Sequence, residues 1–176
     1  MKFGDDELMI MFAAGVVEAF DVLYERYRDR VYGFALGCLK DGGEAEDLVQ
    51  DVFIRVATGA RGYRPRGRFR AWLFQIAANR VRTVAGTRRQ WTVLPVSPDG
   101  EESEGVDRVD GERTLLARER LALLLETLPP LQRMALILKE VEGMDCIAVA
   151  ESLEISAANV RVLLHRARCR LAAREE

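Results

Sequence analysis

The chain has 176 residues, 49% of them hydrophobic, and a formal net charge of −2. That length allows one large domain or two small ones with real cores, and no apolar run approaches the roughly 20 residues of a membrane span. Cys38, Cys146 and Cys169 lie far apart and His165 is the single histidine, so neither metal-ligand spacing nor a catalytic triad can be assembled, and no cofactor is expected. Each cysteine reads as a small buried or half-buried apolar residue. Met1 to Glu7 is acidic, with no basic-then-apolar signal pattern after it, so the cytoplasm is the expected compartment.

The charge is unevenly spread. Residues 1–91 hold fifteen Lys/Arg against twelve Asp/Glu, residues 92–113 hold two against seven, and residues 114–176 hold nine against nine. Two modules, 1–91 and 114–176, are expected to flank an acidic connector, 92–113.

In chain order, a short apolar segment runs from Leu8 to Ala14 and ends at Gly15. A longer helix is expected over Val17–Lys40, with Phe20, Leu23, Tyr24, Tyr27, Val31, Phe34, Ala35 and Cys38 at three-four spacing. Asp41-Gly42-Gly43-Glu44 reads as a stop, then a capping box. The third helix, about Glu44 to Thr58, buries Ala45, Leu48, Val49, Val52, Phe53 and Val56. Its other face carries Glu46, Asp47, Gln50 and Asp51, which suits either the helix dipole or a basic docking partner.

Gly59 to Gly67 is a basic loop containing Tyr63. A helix follows from Phe69 to about Gly86, with Phe69, Trp72, Leu73, Ile76 and Ala77 on one face. From Arg61 to Arg89 there are nine arginines and no acid. Such a segment can be a solvated helix face, or it can offer cations to a polyanion while docking by its apolar stripe. Trp72 on that stripe reads as core before it reads as a stacking platform. Val93 to Glu112, with its prolines, glycines and acids, is expected to be an extended linker.

The second module begins with a helix marked by Leu121, Leu124, Leu125 and Leu128, broken at Pro129-Pro130. Met134, Ile137, Leu138 and Val141 mark the next, ending near Gly143. Asp145 can cap a brief helix holding Ile147, Val149, Ala150 and Leu153. Glu154-Ile155-Ser156 turns into the last helix, N-capped by Ser156, with Val160, Leu164, Ala167 and Leu171 as its buried stripe. A short helix, a tight turn and a longer helix with outer cations form a helix-turn-helix. Asn159 and Arg161 are placed to reach base edges in a major groove. His165, Arg166, Arg168 and Arg170 lie farther along, on the phosphate side.

Taken together, these stretches resemble the extracytoplasmic-function (ECF) sigma factors of bacterial RNA polymerase. The resemblance rests on Phe20-x-x-Leu23-Tyr24-x-x-Tyr27, Ala45-Glu46-Asp47-Leu48-Val49-Gln50-Asp51-Val52-Phe53, Phe69-x-x-Trp72-Leu73-x-x-Ile76-Ala77-x-Asn79, Leu128-Pro129-Pro130-x-Gln132-Arg133, Glu142-Gly143 and Val160-Arg161-x-x-Leu164-His165-Arg166-Ala167-Arg168. It spans about Phe20 to Leu171.

The resemblance implies an all-α protein of two small helical domains, a sigma region 2-like bundle and a region 4-like helix-turn-helix, joined by the acidic flexible linker. It implies no enzymatic activity. Core polymerase, through its largest and second-largest subunits, would be met by Asp47, Gln50, Asp51 and Phe53. The minus-ten element would be recognised and opened by Tyr63, Arg64, Arg66, Arg68, Arg70, Asn79, Arg80 and Arg82. The minus-thirty-five element would be read by Ser156, Asn159, Arg161, His165, Arg166 and Arg168. An anti-sigma factor is the further partner implied, with no direct membrane insertion. The chain departs from the family pattern at Thr83 and Gly86, at Ala148 and Glu154 (where Glu and Gly are common), and at Val162 and Leu163. A stand-alone helix-turn-helix regulator and a sigma-like interaction module remain the alternatives.

Overall fold

The structure, a computed structural model, describes residues 3–86, 123 and 125–173. Every regular element among them is helical. Arg88, Arg89, Trp91, the linker, Leu121 and Leu124 lie outside the described residues.

Helix α1 (Asp5–Ala13) starts earlier than the apolar run suggests, because Asp5, Asp6 and Glu7 fill its first turn, where acids suit the positive end of the helix dipole. Helix α2 (Val17–Leu39) buries Ala19, Leu23, Tyr27, Val31, Phe34 and Ala35. Its end differs from the glycine stop expected. Lys40 itself takes the left-handed conformation, at φ 65°, and returns its N–H to Leu36. The Asp41 carboxylate caps the Glu44 N–H at 2.8 Å, which draws Gly42 and Gly43 into the first turn of α3 (Gly42–Gly59). A single 3-10 turn, Ala60–Gly62, leads to an extended loop and then to α4 (Phe69–Val84).

These four helices form one bundle, knit by an edge-on Phe34–Phe74 pair and by two larger sets of rings. Phe12, Phe20, Tyr24 and Phe53 make one, with Tyr24 edge-on to Phe53 at 4.8 Å. Tyr27, Tyr63, Phe69 and Trp72 make the other. Edge-to-face pairs of this kind add about 0.5–1.5 kcal/mol each beyond the area they bury.

The second module has α5 (Pro130–Leu136), a π turn over Ile137–Val141, α6 (Cys146–Leu153) and α7 (Ala157–Ala172). The caps read from the sequence are present. Asp145 accepts from the Ala148 N–H at 2.7 Å, and Ser156 from the Asn159 N–H at 3.2 Å. Two apolar assignments need correction. Val141 is 62% exposed and Ile147 60%. The π turn, closed by the Glu142 N–H on the Ile137 carbonyl, rotates Val141 off the stripe. Ile147 falls on the outer side of α6, whose inner side is Val149, Ala150, Ser152 and Leu153. Of the cysteines, Cys38 and Cys146 are half-buried as expected and Cys169 is exposed. Burial pushes the Cys38 thiol up to about 12.

The modules are not held apart. Helix α6 lies along α4, and α5 and its π turn meet α2, so that one apolar core runs through both. Gly37 on α2 is the close approach. A Cβ there would stand 2.8 Å from Ile137 Cδ1. Polar contacts tie the same seam. Ser152 donates to the Ala71 carbonyl at 3.1 Å, and Arg133 reaches the Cys38 carbonyl at 3.1 Å.

Candidate nucleic-acid and partner interface

The acid face of α3 places Asp47 and Gln50 in solvent and Asp51 half-buried. Phe53 does not share that face. At 4% exposure it packs among Phe20 and Tyr24, so its contribution is to hold α3 in place from behind. A shallow groove beside the acid face runs between α2 and α3, lined by Tyr24, Tyr32, Glu46, Val49 and Gln50. Asp51 pairs with Arg80 of α4 at 2.5 Å. The acidic patch and the basic helix therefore touch each other.

The basic loop and the start of α4 border an open cleft of roughly 690 Å³, lined by Gly62, Tyr63, Arg64, Arg66, Arg68 and Trp72 among others. Tyr63 and Trp72 sit with ring centroids 4.8 Å apart. Trp72 is half-buried, so it is neither pure core nor a free platform. Arg64, Arg66 and Arg68 are exposed. This arrangement joins cations for a phosphate backbone to flat apolar faces for a base.

The second module reaches into this surface. Glu151 forms an ion pair with Arg68 and lines the cleft. Arg82 donates to the Leu153 carbonyl at 2.7 Å and to the Asn79 side chain at 2.8 Å, and Asn79 in turn donates to Glu154 at 3.1 Å. Glu142 is buried between the modules. It accepts from Arg30 at 2.8 Å and stands 4.0 Å from Arg70. Burial pushes its carboxyl up, and Arg30 and Arg70 offset that only in part. Burial and the neighbouring Arg30 lower Arg70. Of the residues expected to meet the minus-ten element, Arg68, Arg70, Asn79 and Arg82 thus face α6 or the turns around it. Tyr63, Arg64 and Arg66 are gathered at the cleft, and Arg80 lies against α3.

Glu154 stands where the family commonly has Gly, and its backbone adopts a conformation that favours Gly. Its φ is 57°, in the left-handed region. A non-glycine there costs about 1 kcal/mol. Replacing Glu154 by Ala keeps that strain and loses the Asn79 and Arg82 contacts. Replacing it by Gly loses the same contacts and relieves the strain. Glu154→Gly is therefore expected to be more stable than Glu154→Ala by about 1 kcal/mol, which urea titration of the two variants will measure.

On α7, Arg161, His165, Arg166 and Arg168 are exposed, Asn159 is half-buried, and Ser156 is engaged as the cap. Arg168 pairs with Glu140 at 2.7 Å. Leu163 is half-buried against the core edge. The inter-module partners Arg30, Glu142, Glu151 and Glu154 were not anticipated as a set. Glu142 stood out only as part of the Glu142-Gly143 match and Glu154 only by its departure from the family's Gly, and neither signal pointed to a contact between modules.

Comparison with known proteins matches both helical modules. Sigma-70 region 2 matches residues 23–92, and sigma-70, region 4 matches residues 118–171. RNA polymerase sigma factor CarQ of Myxococcus xanthus is 32% identical over 158 residues, 90% of either chain. ECF RNA polymerase sigma factor SigK of a Mycobacterium species (strain KMS) is 34% identical over 163 residues, 89% of this chain and 82% of that one. The structure of CnrH in complex with the cytosolic domain of CnrY is similar at a TM-score of 0.74 and 26% identity, over 97% of this chain and 96% of that one. The sigma factor RpoE, in complex with the anti-sigma factor NepR from Bartonella quintana, shares the fold at a TM-score of 0.68 and 24% identity, over 88% and 94%.

Two sigma-70 regions in series define a transcription initiation factor and not an enzyme. Within that class, the chain belongs to the ECF sigma factors of RNA polymerase. Among the described residues, no helix is long and apolar enough to cross a membrane, and no group of three or more His, Cys, Asp or Glu could hold a metal ion.

Proposed function

We propose that this sigma factor docks on core RNA polymerase through Asp47, Gln50 and Asp51 of α3. In this reading Tyr63, Arg64, Arg66, Arg68 and Arg70, with Asn79, Arg80 and Arg82 of α4, recognise and open the minus-ten element. Helix α7 reads the minus-thirty-five element, with Asn159 and Arg161 toward bases and His165, Arg166 and Arg168 toward phosphates. The division into 1–91, 92–113 and 114–176 belongs to the same proposal and is supported by the two matched segments. The observation that carries the reading is the cleft at Tyr63–Arg68. An extruded base loses stacking worth a few kcal/mol and needs an aromatic, cation-rimmed pocket to hold it, and that cleft has the required lining.

The same reading requires a rearrangement. Arg68, Asn79 and Arg82 are engaged by the second module, so DNA must displace α6 from α4 to reach them. A protein that holds the modules together would keep the factor silent, and an anti-sigma factor is the partner proposed for that role. CnrH, solved with the cytosolic domain of CnrY, is a precedent for a protein partner on this fold.

The test is transcription from a promoter library by core polymerase with and without the chain. A set of promoters that depends on the added protein supports the reading, and none at all refutes it. On a promoter so found, Arg161→Ala is expected to weaken binding by about 1–3 kcal/mol if the guanidinium meets a base. A filter-binding comparison with random duplex decides the matter, because an equal loss there would make it a phosphate contact.

A further inference from the structure

Nothing in the proposed function uses α1, yet α1 is firmly seated. Leu8 and Met9 are buried, and Asp5 pairs with Arg26 and accepts from the Tyr27 hydroxyl at 2.5 Å. The next residue does something different. One oxygen of Asp6 accepts from the Tyr63 hydroxyl at 2.6 Å, and the other accepts from the Gly67 N–H at 2.5 Å. A single carboxylate on α1 thus ties both ends of the promoter-facing loop.

Packing of Tyr63 against Phe69 and Trp72 holds one end of the loop but leaves the stretch to Gly67 free to move. Its backbone leaves the 3-10 turn at Tyr63 in an extended conformation and turns back at Gly67, where φ is +71°, a region open to glycine. Between those points Arg64, Pro65 and Arg66 are exposed. Without an anchor such a segment samples many conformations, and ordering it costs about 1 kcal/mol or more per residue. The anchor is well supported. The Tyr63 phenol, raised by burial and by Asp6 itself, stays a donor at every physiological pH.

We propose that Asp6 is a positioning residue for minus-ten readout: its carboxylate, held by α1, clamps Tyr63 and Gly67 and so sets the shape of the Arg64–Arg66 loop that selects sequence. This inference rests on the cleft being the minus-ten site. Sequence discrimination needs a pocket whose side chains are already in place, and Asp6 supplies that order from outside the loop. It touches no DNA itself.

The experiment uses holoenzyme assembled from core polymerase and the full chain. The probe is a pool of partly unwound duplexes randomised across the minus-ten region, and sequencing of the retained fraction reads selectivity. For the wild type, one sequence class is expected to be enriched. Asp6→Ala is expected to keep core binding and to flatten the enrichment by about tenfold, less than the roughly 100-fold that a 1 Å misplacement of reacting groups can cost. Asp6→Asn is expected to restore it, because its carbonyl can take the Gly67 N–H while its amide donates to the Tyr63 oxygen. Tyr63→Phe removes one tie and is expected to fall between. Asp5→Ala, which disturbs α1 without touching the loop, is expected to leave selectivity alone. Unchanged enrichment in Asp6→Ala overturns the proposal. So does an equal fall in core binding and in retention of all sequences, without rescue by Asn, since that is general destabilisation. A wild-type holoenzyme that binds core but enriches nothing overturns the minus-ten reading of the cleft, and the clamp with it.

Discussion

Asp51→Arg is expected to abolish binding to core polymerase while leaving the helical content intact. Asp51 is half-buried on an otherwise exposed face with Asp47 and Gln50, so a basic partner surface would meet it in a partly dry environment. Charge reversal there sets like charges against each other, a penalty of several kcal/mol, or about 100-fold or more in affinity. The intramolecular pair with Arg80 calls for a control. Arg80→Ala frees Asp51 without reversing its charge and is expected to keep core binding. Fluorescence anisotropy of labelled protein with purified core polymerase, alongside circular dichroism, gives both answers. Undiminished binding of Asp51→Arg would remove α3 from the docking surface, whereas loss in both variants would trace the effect to α4.

Arg133→Met is expected to cost more stability than any surface change. Arg133 is buried on α5, and its guanidinium serves four carbonyls. It donates to Leu125 at 2.8 Å, Leu128 at 3.1 Å, Glu126 at 3.2 Å and, across the seam, Cys38 at 3.1 Å. The first three lie where Pro129-Pro130 interrupts the chain, so no continuing helix supplies the missing N–H groups. Methionine fills similar space and donates nothing. Each carbonyl stranded in the interior costs about 1–3 kcal/mol, less whatever water recovers. A net loss of about 3–5 kcal/mol follows, on the scale of breaking a buried charged network. Guanidinium or urea unfolding will show it, and a loss below about 1 kcal/mol would mean that water replaces the guanidinium with little penalty.

Local chemistry was legible in the sequence. The three-four spacing of Leu23, Tyr27, Val31 and Phe34 gave α2, and Asp41, Asp145 and Ser156 gave three helix starts. Such signals work because cap and partner are three residues apart, and so are visible without knowing the fold. The helix ends at Lys40 and not at a glycine because a strong cap just beyond a helix can force a non-glycine into the left-handed region. The site was legible in its residues but not in its contacts. Arg68, Asn79 and Arg82 announced a basic surface, whereas their partners Glu151, Leu153 and Glu154 lie about seventy to eighty positions away. No pattern of spacing predicts a meeting across a connector of residues 92–113. The two ties from Asp6 to Tyr63 and Gly67 cross no connector, but they span about sixty positions, too far for any spacing pattern to show.

The π turn at Ile137–Val141 works as a phase correction. An α-helix advances about 100° per residue, so one extra residue in a turn resets the angular position of everything after it. Here the reset carries Val141 outward and brings Glu142 to Arg30 and, more distantly, Arg70. Winding the same residues as an ordinary α-helix, without the wide turn, would swing that carboxylate away by roughly a quarter of a circle. The wide turn is thus what aims Glu142, and in this segment the winding of the chain matters as much as its composition.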